Sequence, residues 1–204
     1  MLCTNLYGTF ILKGDTMKPK KIAVFAGSLR KESFSRKMAI TLAALAPEPL
    51  KLEIIEIGGL PLYNQDLEEN PPVAWTEFRK RVAAFDGFLF VTPEYNRSVP
   101  GALKNAIDVG SRPYGKSVWN GKPGAVMSVS PGAIGGFGAN HHLRQSLVFL
   151  NVPAMQQPEA YIGNAAALFD DKGNLINDTT REFLKTFMKA FAGWVEKIRL
   201  IESK

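Results

Sequence analysis

Residues 22–35 read Ile22-Ala23-Val24-Phe25-Ala26-Gly27-Ser28-Leu29-Arg30-Lys31-Glu32-Ser33-Phe34-Ser35. The first five are continuously apolar, the pattern of a short strand buried on both faces, and Gly27 permits the turn that ends it. From about Ser35, Met38, Leu42 and Leu45 recur at helical spacing until Pro47 stops the run. A strand, a tight turn and a helix follow in order, so the positive end of the helix faces the turn. Ser28, Arg30, Ser33 and Ser35 surround that point, where free backbone N–H groups favour an anion.

Serines beside a helix start also serve as ordinary caps, and that reading stands beside the phosphate reading. No Gly-Lys-Ser/Thr follows, as a Walker loop requires, and Gly-x-Gly-x-x-Gly is absent. A loop of serines with one arginine suits a terminal phosphomonoester, with three oxygens to satisfy, better than a pyrophosphate pressed against glycine backbone. The residues therefore point to a mononucleotide such as FMN.

Outward from this stretch, strands and helices alternate. Leu50–Ile57 alternates apolar with charged residues as an edge strand, and a loop with Pro61, Asn64, Pro71 and Pro72 leads to a helix around Trp75–Phe85. Gly87–Val91 is a third, strongly apolar strand. Ser98 is expected to cap a helix with Pro100 in its first turn. A fourth strand spans Gly124–Val129, and a helix carrying Leu143, Leu147 and Leu150 follows. A short final strand is expected near Val152–Met155, then a surface excursion around Gly163–Gly173, then a last helix over about Thr179–Ile201. Alternation of this kind, with right-handed crossovers, predicts a flavodoxin-like doubly wound five-stranded parallel sheet with helices on both faces.

A parallel sheet delivers the loops after the first, third and fourth strands to one edge. The second of these is Thr92-Pro93-Glu94-Tyr95-Asn96, with an aromatic face, an amide and two flanking prolines, Pro93 and Pro100. It suits the polar edge of an isoalloxazine, or it is simply a turn before the next helix. The third runs from Ser128 through Ser130, Gly132, Gly135, Gly136 and Gly138. Its glycines either bring backbone N–H groups close to a ligand or only loosen the loop.

Composition narrows the classes further. A chain of 204 residues with 46% apolar content supports one substantial core. Residues 1–16 read as an N-terminal extension, expected to be weakly ordered, ahead of a single domain over 17–204. Lys13 follows the apolar residues of that extension, the reverse of a secretory leader. The one cysteine, Cys3, leaves no internal disulfide and accords with a cytoplasmic protein. No apolar run reaches membrane-spanning length. The net charge of +6 is dispersed among 19 acids, so a nucleic-acid stripe is not expected. His141 and His142 are adjacent and diverge on a helix, which argues against shared metal ligation. No metal site is expected, and no hydrolytic triad is evident.

Taken together, Gly27-Ser28-Leu29-Arg30, Ser33-Phe34-Ser35-Arg36, Pro93-Glu94-Tyr95-Asn96, Ser98-Val99-Pro100-Gly101, Leu103-Lys104-Asn105-Ala106-Ile107-Asp108, and Gly135-Gly136 with His142-Leu143-Arg144-Gln145 carry a resemblance. Over about residues 20–200 the chain resembles the NADPH-dependent FMN reductase family, particularly its bacterial quinone and chromate reductases. The resemblance implies FMN phosphate contacts from Ser28, Arg30 and Ser35, with backbone help from Ser33 and Phe34. It implies ring contacts from Pro93, Glu94, Tyr95, Asn96 and Ser130 with nearby glycines, Gly132 and Gly135 among them. Ser35 stands where many relatives have asparagine, which shortens the reach to phosphate.

The expected activity is hydride transfer from NADPH or NADH to bound FMN, then to a quinone-like or other small acceptor, in a ping-pong cycle without a catalytic side chain. Similar enzymes are homodimers or homotetramers. That places Arg112 and Tyr114 near a neighbouring site and Arg144 with Glu159 across an interface. Two rivals remain: a flavodoxin-like electron carrier that oxidises no nicotinamide, and a phosphorylated-metabolite binding protein using the same anion loop.

Overall fold

A computed structural model describes residues 19–202. The expected extension over 1–16, with Cys3, lies outside them. Five strands form one parallel sheet: β1 (Lys20–Ala26), β2 (Leu50–Ile54), β3 (Gly87–Thr92), β4 (Gly124–Val129) and β5 (Ala160–Ile162). Their order is β2-β1-β3-β4-β5, the flavodoxin-like doubly wound arrangement expected from the alternation.

Five helices cover the sheet: α1 (Phe34–Ala44), α2 (Val73–Ala83), α3 (Gly101–Gly110), α4 (Phe137–Phe149) and α5 (Asp178–Glu202). Because strand side chains alternate between faces, β1 divides its residues between two cores. Ile22 and Val24 join Met38 and Leu42 of α1 and Leu184, Phe187 and Phe191 of α5. Ala23 and Phe25 face Trp75, Phe78 and Val82 of α2, Leu103 and Ile107 of α3, and Leu143 and Leu147 of α4.

The second core is aromatic. The fully buried Trp119 packs its indole against Phe25 at 5.3 Å and Phe88 at 4.9 Å between ring centres, both edge-on, and donates Nε1–H to the Ile107 carbonyl at 2.9 Å. Truncating Phe25 there to alanine costs about 3–5 kcal/mol.

Several elements differ from the sequence reading. Residues 152–155 make only one bridge to the sheet, Gly124 with Ala154, and β5 forms later at Ala160–Ile162. Pro153 lacks an N–H for a ladder, so the short apolar stretch passes the edge without continuing along it. The region 163–173 is no simple surface excursion, because Ala165, Leu168 and Phe169 are buried in the aliphatic core. Strand β2 stops at Ile54, although Ile55 and Ile57 stay buried on the aromatic side. Ser98 does not cap α3: Pro100 holds the cap position without a side-chain bond, and Ser98 Oγ instead shares a 2.8 Å hydrogen bond with His142 Nδ1.

Strand register aligns the edge that matters. Ala26 pairs beside Val91, and Thr92 beside Ser128, so the chain leaves β1, β3 and β4 side by side. Gly27 N–H closes the β1 exit on the Val91 carbonyl at 2.9 Å. A Cβ at Gly27 would lie 3.0 Å from the Pro93 ring and 3.2 Å from Leu103, so glycine lets the first two loops touch. Among the described residues no helix is long and apolar enough to cross a membrane.

Candidate functional site

The three loops meet in a cavity of about 210 Å³. The first contributes Ser28, Arg30, Ser33, Phe34 and Ser35, the second Pro93, Glu94 and Tyr95, and the third Val129, Ser130 and Pro131. Nine of the twelve cofactor-site residues expected from the sequence and the resemblance therefore share one hollow. Val129 and Pro131 were not foreseen, although they flank Ser130 directly.

Local structure explains the serines. Ser33 caps α1, accepting the Arg36 N–H on Oγ at 3.2 Å, so the capping reading was correct. The same hydroxyl lies 2.9 Å from Ser35 Oγ, and both residues are almost fully buried beside the cavity. Ser28 Oγ accepts the Arg30 N–H at 3.3 Å and meets the Tyr95 hydroxyl at 3.2 Å. The cap of α1 and the lining of the cavity thus share residues. The first-turn N–H groups of Phe34 and Ser35 have no intrahelical acceptor, and no acidic side chain occupies that turn.

The second loop is a tight hairpin. Tyr95 and Ser98 exchange backbone hydrogen bonds of 3.0 Å in each direction, with Asn96 and Arg97 at its tip in left-handed conformations, φ 52° and 64°. Asn96 therefore sits at the apex and does not line the cavity. Glu94 turns inward: its Oε2 accepts the Ala139 N–H at 3.0 Å, satisfying the start of α4, where Gly136 offers no side-chain cap.

Glycines of the third loop serve packing. Gly135 and Gly136 have φ of 67° and 77°, and a Cβ on Gly135 would come within 2.6 Å of the Tyr161 carbonyl carbon. Gly132 donates its N–H to Ser130 Oγ at 3.1 Å. Neither Gly132 nor Gly135 lines the cavity.

The four residues expected at subunit contacts lie elsewhere. Arg112 donates Nε–H to the Tyr63 hydroxyl at 3.3 Å and stands over the ring of the exposed Tyr114. Both line a separate hollow of about 790 Å³ between α3 and α4, which shares no residue with the three loops. Arg144 is held within its own chain, by Asn140 Oδ1 and the Met155 carbonyl, each at 2.9 Å. Burial, with Glu159 beside it, pushes the Tyr161 hydroxyl up to about 12. His141 shares a 2.8 Å hydrogen bond with that hydroxyl, so the two histidines point to different partners, Tyr161 and Ser98.

Residues 20–167 match the NADPH-dependent FMN reductase family. The chain belongs to that family. Membership makes it an oxidoreductase with FMN as cofactor and a nicotinamide dinucleotide as donor. The chain is 66% identical over 181 residues to a quinone reductase of Pseudomonas putida, covering 88% of this chain and 97% of that one. It is 48% identical over 180 residues to a 2-hydroxy-1,4-benzoquinone reductase of Burkholderia sp., covering 88% and 98%. Among solved structures it is similar to the flavoenzyme NAD(P)H:(acceptor) oxidoreductase FerB of Paracoccus denitrificans, with a TM-score of 0.82, 42% identity, and 87% and 98% of the two chains covered.

Proposed function

We propose that this member of the family is an NAD(P)H-dependent quinone reductase whose FMN is gripped by its phosphate at the first loop and by its ring along the second and third. The observation that carries the reading is the meeting of Ser28, Arg30 and Tyr95 in one cavity. The donor set suits the group: three serine hydroxyls, a guanidinium and the amides of a helix start surround the point where a phosphomonoester needs partners. At about 210 Å³ the cavity is below the roughly 300 Å³ of a small-molecule pocket. It therefore takes the phosphate and sugar, and the ring lies along the open edge beside Pro93, Tyr95 and Ser130.

Ser28, Ser33, Ser35 and Arg30 would hold the phosphate, with backbone N–H groups of Ser33 and Phe34. Pro93, Glu94, Tyr95, Asn96, Ser130, Gly132 and Gly135 would border the ring, Asn96 and the two glycines from positions outside the cavity. When bound, FMN supplies a carrier that takes hydride from the nicotinamide at N5 and gives it to the acceptor, so donor and acceptor use one site in turn. The chain's part is orientation. Glu94 is the one carboxylate lining the cavity, and it is committed to Ala139 N–H and to Arg97, so it positions a loop and transfers no proton. Quinones are the proposed acceptors because the two similar enzymes named above reduce them.

We assign the subunit contact of a homodimer or homotetramer to the hollow between α3 and α4, where Tyr114 and Phe149 are 89% and 86% exposed. Arg144 and Glu159 are the second candidate contact. A monomer by light scattering at micromolar concentration overturns both. The single cysteine and the nicotinamide donor favour a cytoplasmic location.

Reconstitution with FMN, a visible spectrum, and oxidation of NADPH and NADH with and without a benzoquinone test the function. The expected result is a yellow protein with parallel initial-rate lines. A yellow protein that oxidises neither nicotinamide is an electron carrier, and a colourless one that takes up no flavin is a phosphorylated-metabolite binder. Either result overturns the reading.

A further inference from the structure

The second loop is stiff within itself, and something outside it must fix where it stands against the cavity. Asn96 and Arg97 both have positive φ, as in the two-residue turn of a hairpin, and that geometry constrains nothing beyond Tyr95–Ser98. Side-chain hydrogen bonds tie the hairpin down at three points. Tyr95 reaches the first loop through its 3.2 Å contact with Ser28 Oγ. Glu94 Oε2 accepts the Ala139 N–H at 3.0 Å, and Ser98 Oγ meets His142 Nδ1 at 2.8 Å. Ala139 and His142 stand three residues apart on α4, so the last two anchors lie on one side of that helix. Gly138 keeps the approach close: a Cβ there would lie 3.0 Å from Glu94 Oε2 and 3.1 Å from the Arg97 carbonyl oxygen, so the hairpin rests directly on the first turn of α4.

Glu94 anchors the near end of the hairpin and His142 the far end. With one anchor the hairpin can pivot on the Glu94–Ala139 bond; with two its tilt is set. His142 lines the hollow between α3 and α4, outside the three-loop cavity, so it bears on the ring edge through Ser98. We propose that His142 is a positioning residue for the flavin ring, its bond to Ser98 setting the angle at which the hairpin presents Tyr95. The inference deepens the proposed function and rests on the FMN ring lying along the second loop.

The test is a double-mutant cycle on the full chain freed of flavin, titrated with FMN and with riboflavin and read by flavin fluorescence. Ser98→Ala and His142→Ala should each weaken both flavins about threefold, within the range of one net hydrogen bond, and together no more than either alone. His142→Asn, whose amide can stand where Nδ1 stood, should recover the affinity. Urea midpoints should stay near that of the unaltered protein, since His142 is exposed. Unchanged affinity in either alanine variant would overturn the proposal, as would losses that multiply in the double variant or no recovery with asparagine. So would a loss confined to FMN, which would place the effect at the phosphate and not at the ring. An unaltered chain that takes up neither flavin would overturn the proposed function together with this inference, whereas the preceding outcomes overturn the inference alone.

Discussion

The first and third loops leave the same edge of the sheet and use their residues in opposite ways. In the first, Ser28, Ser33 and Ser35 line the cavity, and the helix behind them leaves amides without intrahelical partners. In the third, Gly135 and Gly136 are bent into left-handed conformations against the backbone of Tyr161 and the side chain of Ser128. One loop keeps polar groups available, and the other lets chain pass over chain. A glycine-rich loop beside a ligand site is therefore weak evidence of ligand contact when its glycines already have neighbours that a Cβ would strike.

The comparison breaks most readily at Gly135. Gly135→Ala should lower folding stability by about 3 kcal/mol through strain at positive φ and overlap with Tyr161, measured by urea unfolding. A variant that folds normally but loses FMN would reverse the roles given to the two loops. Arg30→Ala should do the opposite, weakening FMN by about 1.5–3 kcal/mol in a fluorescence titration while unfolding little changed, since the side chain is exposed. Unchanged flavin affinity would remove Arg30 from the phosphate site. Tyr95→Phe keeps the ring and deletes only the bond to Ser28, so FMN affinity should fall by about 1 kcal/mol. A large loss of stability instead would make Tyr95 a core residue.

The smallest effect lies at the outer rim of the first loop. Pairing with Arg36 lowers the Glu56 carboxyl in the folded protein, so the unfolded chain binds more protons. That contribution is complete above the ordinary value of 4.5 and fades as pH falls through the lower folded value. With side chains 41% and 66% exposed it amounts to less than about 1 kcal/mol. Glu56→Gln should flatten this part of the acid-side stability curve, read from urea midpoints below pH 4.5. An identical curve would show that the pair contributes nothing.

The sheet was readable because its inner strands carry short, nearly unbroken apolar runs, Ile22–Ala26, Phe88–Val91 and Ala125–Met127, each followed within a few residues by turn-forming residues. β5 was missed because three residues, Ala160-Tyr161-Ile162, hold too little pattern, and because Val152–Met155 offers a similar apolar run with a proline inside it. At the site, chemistry was legible where side chains carry it, at Ser28, Arg30 and Tyr95. Asn96 shows the limit, for its amide is legible in the sequence while its place at the hairpin apex, outside the cavity, follows from the left-handed turn it adopts. Glu94 lines the cavity, but its bond to the start of α4 spans 45 residues and leaves no local trace in the sequence.

The hairpin over Tyr95–Ser98 has a consequence for how molecules arrive. Its two mutual backbone bonds and its tip at Asn96 and Arg97 fix the shape of the second loop during folding. Conformational entropy is lost then, and little remains to be lost when a cofactor or acceptor docks.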